Sequence, residues 1–454
     1  MPRGRWPSVD RPFRKPPSLS DMKILIIHAY SPANIGDGAI VLAMISEARR
    51  VFGDAVEVRV SATDPEAFEE FLGIRSHGRL VPWHSMGSIG GRLKWLVRNL
   101  PTILLLWWGS GNGRKMLARL SRSRFLPSST RVAVSAYLEV DLVLACGGGY
   151  LGDTYRRQLP FWHLEYRCAA AAGLPLIFFS QSMGSTNDPV TKFFLRKALA
   201  QCAVFIARDR QTVERVAMLG PFESKVALYP DAALLVERPD RDDLVRADAP
   251  CVGVSLMRWS NYREDRETGH AAYLAGMQRA LEGLLVLHPG LRVRLYATNV
   301  AFGANPMDDV GVVVEMHRRL SEGGLADRCE AIEWTPIPDV FMRSVSQCEL
   351  FVATRMHSAV LALNVGVPVA GVAYEEKMRG LLETFELGDY VADIESPEAI
   401  PELVLRAYDR RGELRKTVAR VAPGIRARAS LAMDLTARVV ASAGTIPEAG
   451  AAKS

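Results

Sequence analysis

Short apolar runs without polar alternation recur along the chain, and they predict its secondary structure. The first run covers residues 22–28, and it is followed by a loop at 29–37, apolar positions at helical spacing over 39–52, and a second run at 56–60. Continuous apolar runs are typical of strands buried on both faces of a parallel sheet. The order strand, loop, helix, strand therefore predicts a βαβ unit.

The same order recurs in two series, which the polar segment 237–250 separates. The first series predicts strands at 142–145, 176–180 and 204–207 and a helix at 160–172. The second predicts strands at 251–256, 292–297, 350–353 and 367–372 and helices at 271–287, 310–320 and 358–363. We therefore expect an α/β protein of two Rossmann-like, doubly wound parallel-sheet domains, 22–240 and 250–440, that face a cleft. Ligands of such sheets bind beyond the carboxyl ends of the strands.

Three segments fall outside this rhythm. Residues 1–21 are rich in Arg, Pro and Ser, lack the apolar core of a signal peptide and are expected to form a disordered basic tail, and 441–454 a flexible one. Residues 83–131 form a basic, aromatic insertion with Trp83, Trp95, Trp107 and Trp108. It could rest on an anionic membrane or pack as a helical flap on the N-terminal domain. Its apolar run, 103–108, is too short to cross a bilayer.

Charge and cysteine content narrow the choice of partners. Lys and Arg exceed Asp and Glu by 6 (56 − 50), which suits acidic small molecules or a membrane surface but is too dispersed for nucleic acid. The six cysteines form no C-x-x-C pair. We interpret them as buried thiols of a reducing compartment, with neither a disulfide framework nor a metal site. A cytoplasmic protein without a cofactor is therefore expected, and its oligomeric state is left open.

The sharpest chemical motif is Thr354-Arg355-Met356-His357-Ser358, between a buried strand and a helix start. Arg355 supplies a fixed positive charge and His357 a titratable group. The backbone N–H groups of the helix start add affinity for anions. A lone His is more often structural than catalytic, but here strand end, Arg and helix start coincide. The pattern favours an anion-binding active site.

Two further segments carry cations at strand ends. Tyr374 and Lys377 follow the strand at 367–372, so Lys377 could approach Arg355 and His357 or could be a solvated helix-start lysine. Arg208 ends the strand at 204–207, where its guanidinium could grip a carboxylate or phosphate. A surface pair with Asp209 or Glu214 is an equally good interpretation of Arg208.

Two loops carry residues with weaker signals. Gly147 to Gly152 match G-x-G-x-x-G after a strand, but no acid follows the next strand, which ends at Gln181-Ser182, so a dinucleotide site is disfavoured. A tight glycine turn is expected, with or without ligand contact. In the first loop, Asn34 and Gly36 could line a pocket, while Asp37 is better interpreted as a helix cap.

In this order, the motifs resemble those of the polysaccharide pyruvyl transferase family. The matching pieces run from about residue 22 to about residue 385, and the tail and the 83–131 insertion carry none: Asn34-Ile-Gly-Asp37, Gly147-Gly-Gly-Tyr-Leu-Gly-Asp153, Gln181-Ser-Met-Gly184, Ala207-Arg-Asp209, Pro230-Asp-Ala232, Thr354-Arg-Met-His357 and Tyr374-Glu-Glu-Lys377. The resemblance implies a glycosyltransferase-B-like fold. It also implies transfer of pyruvate from phosphoenolpyruvate to two hydroxyls of a cell-surface glycan sugar, or of its lipid-linked precursor, as a cyclic ketal.

The resemblance implies roles for the residues that match the motifs of the family. Arg355 and His357 are the expected catalytic pair, with His357 as the proton donor to C3 of phosphoenolpyruvate. The expected substrate-binding residues are Arg208, Lys377, Asn34, Asp37, Gly148, Gly149, Gln181 and Tyr374. The rival functions are a nucleotide-sugar-dependent glycosyltransferase of the same fold and a non-catalytic glycan-binding protein. If the acceptor is lipid-linked, the protein would work at the inner face of the plasma membrane.

Overall fold

Two parallel β-sheets, whose strands alternate with helices along the chain, organise the protein in the computed structural model. The structure describes residues 21–81, 90, 95–97, 99–100, 103, 113–240, 249–259, 266–303 and 305–442. The predicted tails lie almost wholly outside these residues, as do Trp83, Trp107 and Trp108 of the insertion.

The strands, in chain order, are β1 Lys23–Ala29, β2 Glu57–Ala62, β3 Ser76–Gly78, β4 Leu142–Ala145, β5 Gly148–Leu151, β6 Leu176–Met183, β7 Val204–Ala207, β8 Val226–Leu228, β9 Cys251–Ser255, β10 Arg292–Tyr296, β11 Cys329–Ala331, β12 Leu350–Ala353, β13 Val369–Ala373 and β14 Val391–Asp393. The α-helices are α1 Ile35–Phe52, α2 Pro65–Leu72, α3 Gly113–Ser121, α4 Ser128–Ala136, α5 Leu159–Ala172, α6 Pro189–Gln201, α7 Arg210–Leu219, α8 Arg266–Leu287, α9 Val310–Leu320, α10 Pro338–Ser346, α11 Met356–Asn364, α12 Glu376–Thr384, α13 Ile400–Asp409 and α14 Arg411–Ala441.

Both sheets have the strand order of a doubly wound fold. The first runs β3-β2-β1-β4-β6-β7-β8, with β5 paired to β6, and the second runs β11-β10-β9-β12-β13-β14. Every pairing is parallel. The predicted fold class is thereby confirmed. The order reverses between β1 and β4 and between β9 and β12, which are the points where ligands bind in such sheets.

Prediction was best for the short, wholly buried strands. The expected strands at 142–145, 204–207 and 350–353 coincide with β4, β7 and β12, in each of which all four residues are buried. The expected helix at 310–320 coincides with α9. A strand with both faces covered needs apolar residues at every position, so its run in the sequence has sharp ends.

The glycine segment after β4 was predicted wrongly as a tight turn. Gly148–Leu151 is strand β5, which pairs with β6. The flanking glycines allow close backbone packing, because a Cβ on Gly147 would lie 2.7 Å from the Ser180 carbonyl oxygen and one on Gly152 would lie 2.9 Å from Gly184 Cα. The glycines thus permit strand packing, and they do not form a phosphate-binding turn at a helix start.

The chain divides into two units whose membership differs from the predicted domains at residues 32–43, at 233–240 and from 430 onward. The first unit contains the described residues up to Ser31, those of Met44–Ala232 and those from Ser430 onward. The second contains the described residues of Pro32–Ala43 and Ala233–Ala429. Thus the loop after β1 and the beginning of α1 belong with the second sheet. Such long-range membership cannot be read from a local pattern.

The cysteines are buried thiols as predicted, and part of the insertion packs into the core of the first unit. All six cysteines are free and buried. In the insertion, α3 contributes Leu117 and Leu120 to the core of the first unit, whereas Arg114, Lys115 and Arg119 of the same helix are exposed. Helix α3 is thus amphipathic and has a basic outer face.

Among the described residues, no helix combines the length and the apolar character needed to cross a bilayer.

Candidate active site

The segment that follows β12 lies at the point where the strand order of the second sheet reverses. Thr354 is buried, and its hydroxyl donates to the Ser255 carbonyl oxygen at 2.7 Å. The Thr354 backbone N–H donates to the Ser255 hydroxyl at 3.2 Å, and that hydroxyl lies 2.7 Å from the Ser358 hydroxyl. These hydrogen bonds join the carboxyl end of β9 to that of β12. They therefore also determine the path of the chain through Arg355 and His357.

Arg355 is held in a two-point salt bridge with Asp309. Its Nε donates to Asp309 Oδ2 at 2.6 Å and its Nη2 donates to Oδ1 at 2.8 Å. The Asp309 side chain is fully buried, and that of Arg355 is 9% exposed. The Asp309 carboxylate also accepts the backbone N–H of Arg258 at 3.0 Å. Arg355 therefore has a fixed orientation before any ligand binds.

Asp309 is a buried partner of Arg355 that the sequence interpretation missed. It directly precedes α9, where an acidic residue is normally interpreted as a helix cap. Its true partner lies 46 residues further along the chain. A second aspartate, Asp308, stands beside it, so the local pattern could not show which one is buried with Arg355.

His357 is the second residue of α11 and is half-buried. Its ring lies against Gly36, since a Cβ built on Gly36 would fall 2.2 Å from His357 Nδ1. The predicted Asn34–Asp37 motif is thus brought to the predicted proton donor. Both segments belong to the second unit.

The helix cap in this motif is Asn34 and not Asp37. Helix α1 begins at Ile35, four residues before the predicted start, and the Gly36 N–H donates to Asn34 Oδ1 at 3.2 Å. Asp37 lies in the first turn, where its negative charge is favourable near the positive end of the helix dipole. Asn is as good a capping residue as Asp, so this assignment was available from the sequence.

Lys377 lies near the carboxyl end of β13, the strand next to β12. Its Nζ lies 2.5 Å from Glu375 Oε2 and 5.6 Å from the centre of the Tyr374 ring. Its side chain is 24% exposed, so it is partly shielded from solvent. Arg355 and Lys377 therefore follow the carboxyl ends of two adjacent strands, β12 and β13. The contacts described for Lys377 are with Glu375 and Tyr374.

Arg208 is part of a buried network in the first unit. Its Nη1 donates to Asp231 Oδ2 at 2.8 Å, and its Nε donates to the Ser182 hydroxyl at 2.7 Å. That hydroxyl donates to Asp209 Oδ2 at 2.6 Å, while Asp209 Oδ1 caps α7 by accepting the Thr212 N–H. The Arg208 and Asp231 side chains are 3% and 5% exposed. The alternative of a surface pair with Asp209 or Glu214 is therefore wrong.

Gln181 and the two glycines of β5 differ in what they offer a ligand. Gln181 is fully buried, and its Nε2 lies 3.1 Å from the Ala145 carbonyl oxygen and 2.6 Å from that of Cys146. It ties β4 to β6, so the prediction that it contacts substrate is not supported by its position. Gly148 is buried, whereas Gly149 exposes its backbone.

A buried polar cluster at the end of β1 was also missed. His28 has a left-handed backbone with φ 65°, and its Nδ1 lies 2.7 Å from Arg79 Nη2. Arg79 forms a two-point salt bridge with Glu165, whose Oε2 lies 3.2 Å from His28 Nε2. Burial, reinforced by the charge of Arg79, lowers the pKa of His28 well below its usual value. His28 is therefore neutral at physiological pH.

Comparisons with known proteins show the family to which the chain belongs. A family model described as polysaccharide pyruvyl transferase matches residues 34–376. The chain is similar to amylovoran biosynthesis protein AmsJ of Erwinia amylovora, with 22% identity over 422 residues that cover 88% of this chain and 95% of that protein.

Two solved structures share the fold at low identity. The Anabaena protein Alr3699/HepE in complex with UDP and glucose has a TM-score of 0.55 and 14% identity, covering 93% of this chain and 100% of its own. UDP-GlcNAc 2-epimerase from Neisseria meningitidis, bound to UDP-GlcNAc, has a TM-score of 0.54 and 12% identity, covering 92% and 100%. Both place the chain among glycosyltransferase-B-like folds.

Proposed function

We propose, from the premise that the chain belongs to the polysaccharide pyruvyl transferase family, that it moves pyruvate from phosphoenolpyruvate to a glycan sugar. Family membership and the likeness to an amylovoran biosynthesis protein make it a transferase of polysaccharide biosynthesis. The donor and the product, a cyclic ketal on two hydroxyls of the acceptor, are the proposal.

The observation that carries the proposal is the fixed Arg355 beside His357 at the reversal point of the second sheet. Phosphoenolpyruvate has a phosphate and a carboxylate, so it needs more than one cation. Arg355, oriented by the 2.6 Å and 2.8 Å hydrogen bonds to Asp309, supplies one. Lys377, at the end of the adjacent strand, supplies another. Binding of the donor by Arg208 remains a prediction.

The proposed reaction begins with proton transfer from His357 to C3 of phosphoenolpyruvate. The C3 methylene becomes a methyl group, and positive charge develops at C2. One sugar hydroxyl adds to C2 and loses its proton. The bond from C2 to the phosphate oxygen then breaks, and phosphate leaves with the electron pair. The second hydroxyl adds to C2 and loses its proton, which closes the ketal ring. Fixed cations stabilise the charge that develops on the departing phosphate.

The test is a calorimetric titration of the full chain with phosphoenolpyruvate and, separately, with nucleotide sugars. Saturable binding of phosphoenolpyruvate that His357→Ala retains and Arg355→Ala loses supports the proposal. Binding of a nucleotide sugar without binding of phosphoenolpyruvate would favour the rival, a nucleotide-sugar-dependent glycosyltransferase. That rival is motivated by the UDP bound in the Anabaena structure.

Lys377→Ala is expected to raise the KM for phosphoenolpyruvate about tenfold or more, with a smaller change in kcat. The reason is the loss of a cation that contacts the donor in ground state and transition state alike. Initial rates of phosphate release at varied donor concentration measure it. Arg379→Ala is the matched control, because Arg379 lies on the same helix and is 37% exposed beside Glu376. An unchanged KM for Lys377→Ala would count against the assignment.

We also propose that the acceptor is a surface glycan sugar or its lipid-linked precursor, reached from the cytoplasmic side. The basic outer face of α3 would then contact anionic lipid. Deleting the whole insertion would remove the buried Leu117 and Leu120, so a surface change is the better test.

Lys115→Glu/Arg119→Glu is expected to reduce sedimentation of the protein with phosphatidylglycerol liposomes at low salt. The control is Lys416→Glu/Arg428→Glu, which makes the same charge change at exposed positions of α14. Equal sedimentation of both double variants would leave the packed-flap interpretation of the insertion.

A further inference from the structure

Gly36 lies closer to His357 than any other amino acid at that position would allow. A Cβ on Gly36 would come within 2.2 Å of His357 Nδ1, 2.4 Å of Cγ and 2.6 Å of Cβ. Cβ atoms essentially never approach other heavy atoms to within 3.0 Å. The Nδ1 edge of the imidazole therefore occupies the space that a side chain on Gly36 would need.

The backbone of Gly36 does not itself require glycine. Its φ is not among the positive values, which are found at other glycines such as Gly53 and Gly366. Glycine within a helix is less favourable than alanine by about 0.5–1 kcal/mol. Glycine at the second position of α1 is thus explained by the close approach of His357, which a side chain would prevent.

The segment that carries Gly36 is fastened to the second sheet, so it cannot easily yield. The Ile35 N–H donates to the Thr298 carbonyl oxygen at 3.1 Å, and the Val300 N–H donates to the Ala33 carbonyl oxygen at 3.0 Å. Asn34 and Asn299 form an isolated antiparallel bridge between these bonds. A side chain added at position 36 would consequently displace His357, including its Cβ, and not the segment that carries Gly36.

The same scaffold also orients Arg355. The carbonyl oxygen of Asn299 accepts the Asp309 N–H at 2.8 Å, and Asp309 holds the Arg355 guanidinium. Asn299 itself is fixed by Asn305, whose Nδ2 donates to Asn299 Oδ1 at 2.6 Å. The described residues of the loop, 298–303 and 305–309, thus support both the segment packed against His357 and the partner of Arg355.

We propose that Gly36 is a positioning residue, which sets the orientation of the His357 imidazole for proton transfer. The inference rests on the proposed function of His357, and it adds why the Asn34–Asp37 motif contains a glycine. It also assigns a role to a segment that lies more than 300 residues before His357 in the chain. Gly36 acts through His357 and has no catalytic group of its own.

The kinetic test is Gly36→Ala in the full chain. We expect kcat for acceptor-dependent phosphate release from phosphoenolpyruvate to fall about 100-fold, because displacements near 1 Å have effects of that size. The KM for phosphoenolpyruvate should change little, since Arg355 and Lys377 are not displaced. Gly283→Ala is the matched control, because this helical glycine has no atom within 4 Å of an added Cβ. A normal kcat for Gly36→Ala would overturn the proposal.

A thermal-unfolding cycle tests the contact independently of activity. Gly36→Ala should lower Tm in the wild-type background, but it should have little effect in the His357→Gly background, where both the imidazole and the Cβ that the added methyl group would meet are absent. Such non-additivity is the signature of residues in direct contact. Equal losses of Tm in both backgrounds would refute the proposed contact. Non-additivity in a protein that never turns over phosphoenolpyruvate would refute the proposed function and the proton-transfer role, and would leave the packing role of Gly36 standing.

Discussion

His357→Ala is expected to lower acceptor-dependent phosphate release from phosphoenolpyruvate by a factor of about 10² to 10⁴, the contribution of a well-placed general acid. The protein should remain folded, because His357 is half-buried at the start of α11 and alanine is favourable in a helix. Binding of phosphoenolpyruvate should survive, since the cations proposed to hold it are Arg355 and Lys377. The result would therefore appear in kcat and not in the binding constant.

Initial-rate assays of phosphate release measure kcat, and calorimetry on the same preparation measures the binding constant for phosphoenolpyruvate. His317→Ala is the control, because His317 is also a half-buried helical histidine and lies in α9. A rate within a few-fold of wild type for His357→Ala would remove the proton-donor role. Loss of both rate and donor binding would make His357 a binding residue.

Asp309→Ala is expected to lower the free energy of unfolding by about 3–5 kcal/mol, the usual effect of breaking a buried ion pair. The substitution leaves the charge of Arg355, whose side chain is 9% exposed, without its carboxylate partner. The backbone N–H of Arg258 loses its acceptor as well. Urea-induced unfolding followed by circular dichroism measures the change.

Asp339→Ala provides the comparison that isolates burial. Asp339 also pairs with an arginine, Arg343, at 2.6 Å, but their side chains are 44% and 38% exposed. An exposed pair of this kind contributes at most about 1 kcal/mol. Similar, small effects of Asp309→Ala and Asp339→Ala would contradict the account of Arg355.

The contribution of Arg355 to stability can be separated from its contribution to ligand binding by replacing Arg355 and Asp309 together. Apolar residues in place of a buried ion pair often preserve stability. Arg355→Met/Asp309→Leu is therefore expected to recover much of the stability that Asp309→Ala loses. It should nevertheless bind no phosphoenolpyruvate, because the fixed positive charge is absent.

The parts of the fold that the sequence predicted are those in which one segment determines its own environment. Strands such as β4, β7 and β12 are buried on both faces, and their apolar runs show this directly. The place of Thr354 to His357 between a buried strand and a helix was predicted for a related reason, since the strand end and the helix start are visible side by side in the sequence. The parallel order of the sheets follows from the same βαβ rhythm.

The parts that were missed depend on partners far along the chain. Asp309 resembles a helix cap until its contact with Arg355 is known. Gly147 and Gly152 suggest a turn, because glycine serves turns and close strand packing equally well. Gly36 was placed in a loop because glycine is a poor helix former, although Asn34 caps the helix that begins at Ile35. In each case the local sequence pattern was compatible with two interpretations, and only the contacts with distant residues showed which one is correct.

The most direct measurement incubates the purified full chain with phosphoenolpyruvate and a panel of free and lipid-linked sugar acceptors. Inorganic phosphate is followed in solution, and each acceptor is followed by mass spectrometry. The account predicts phosphate released one for one with an acceptor that gains a pyruvate ketal, and no such product with His357→Ala. Transfer of a sugar from a nucleotide sugar to the same acceptors, with phosphoenolpyruvate left intact, would contradict it.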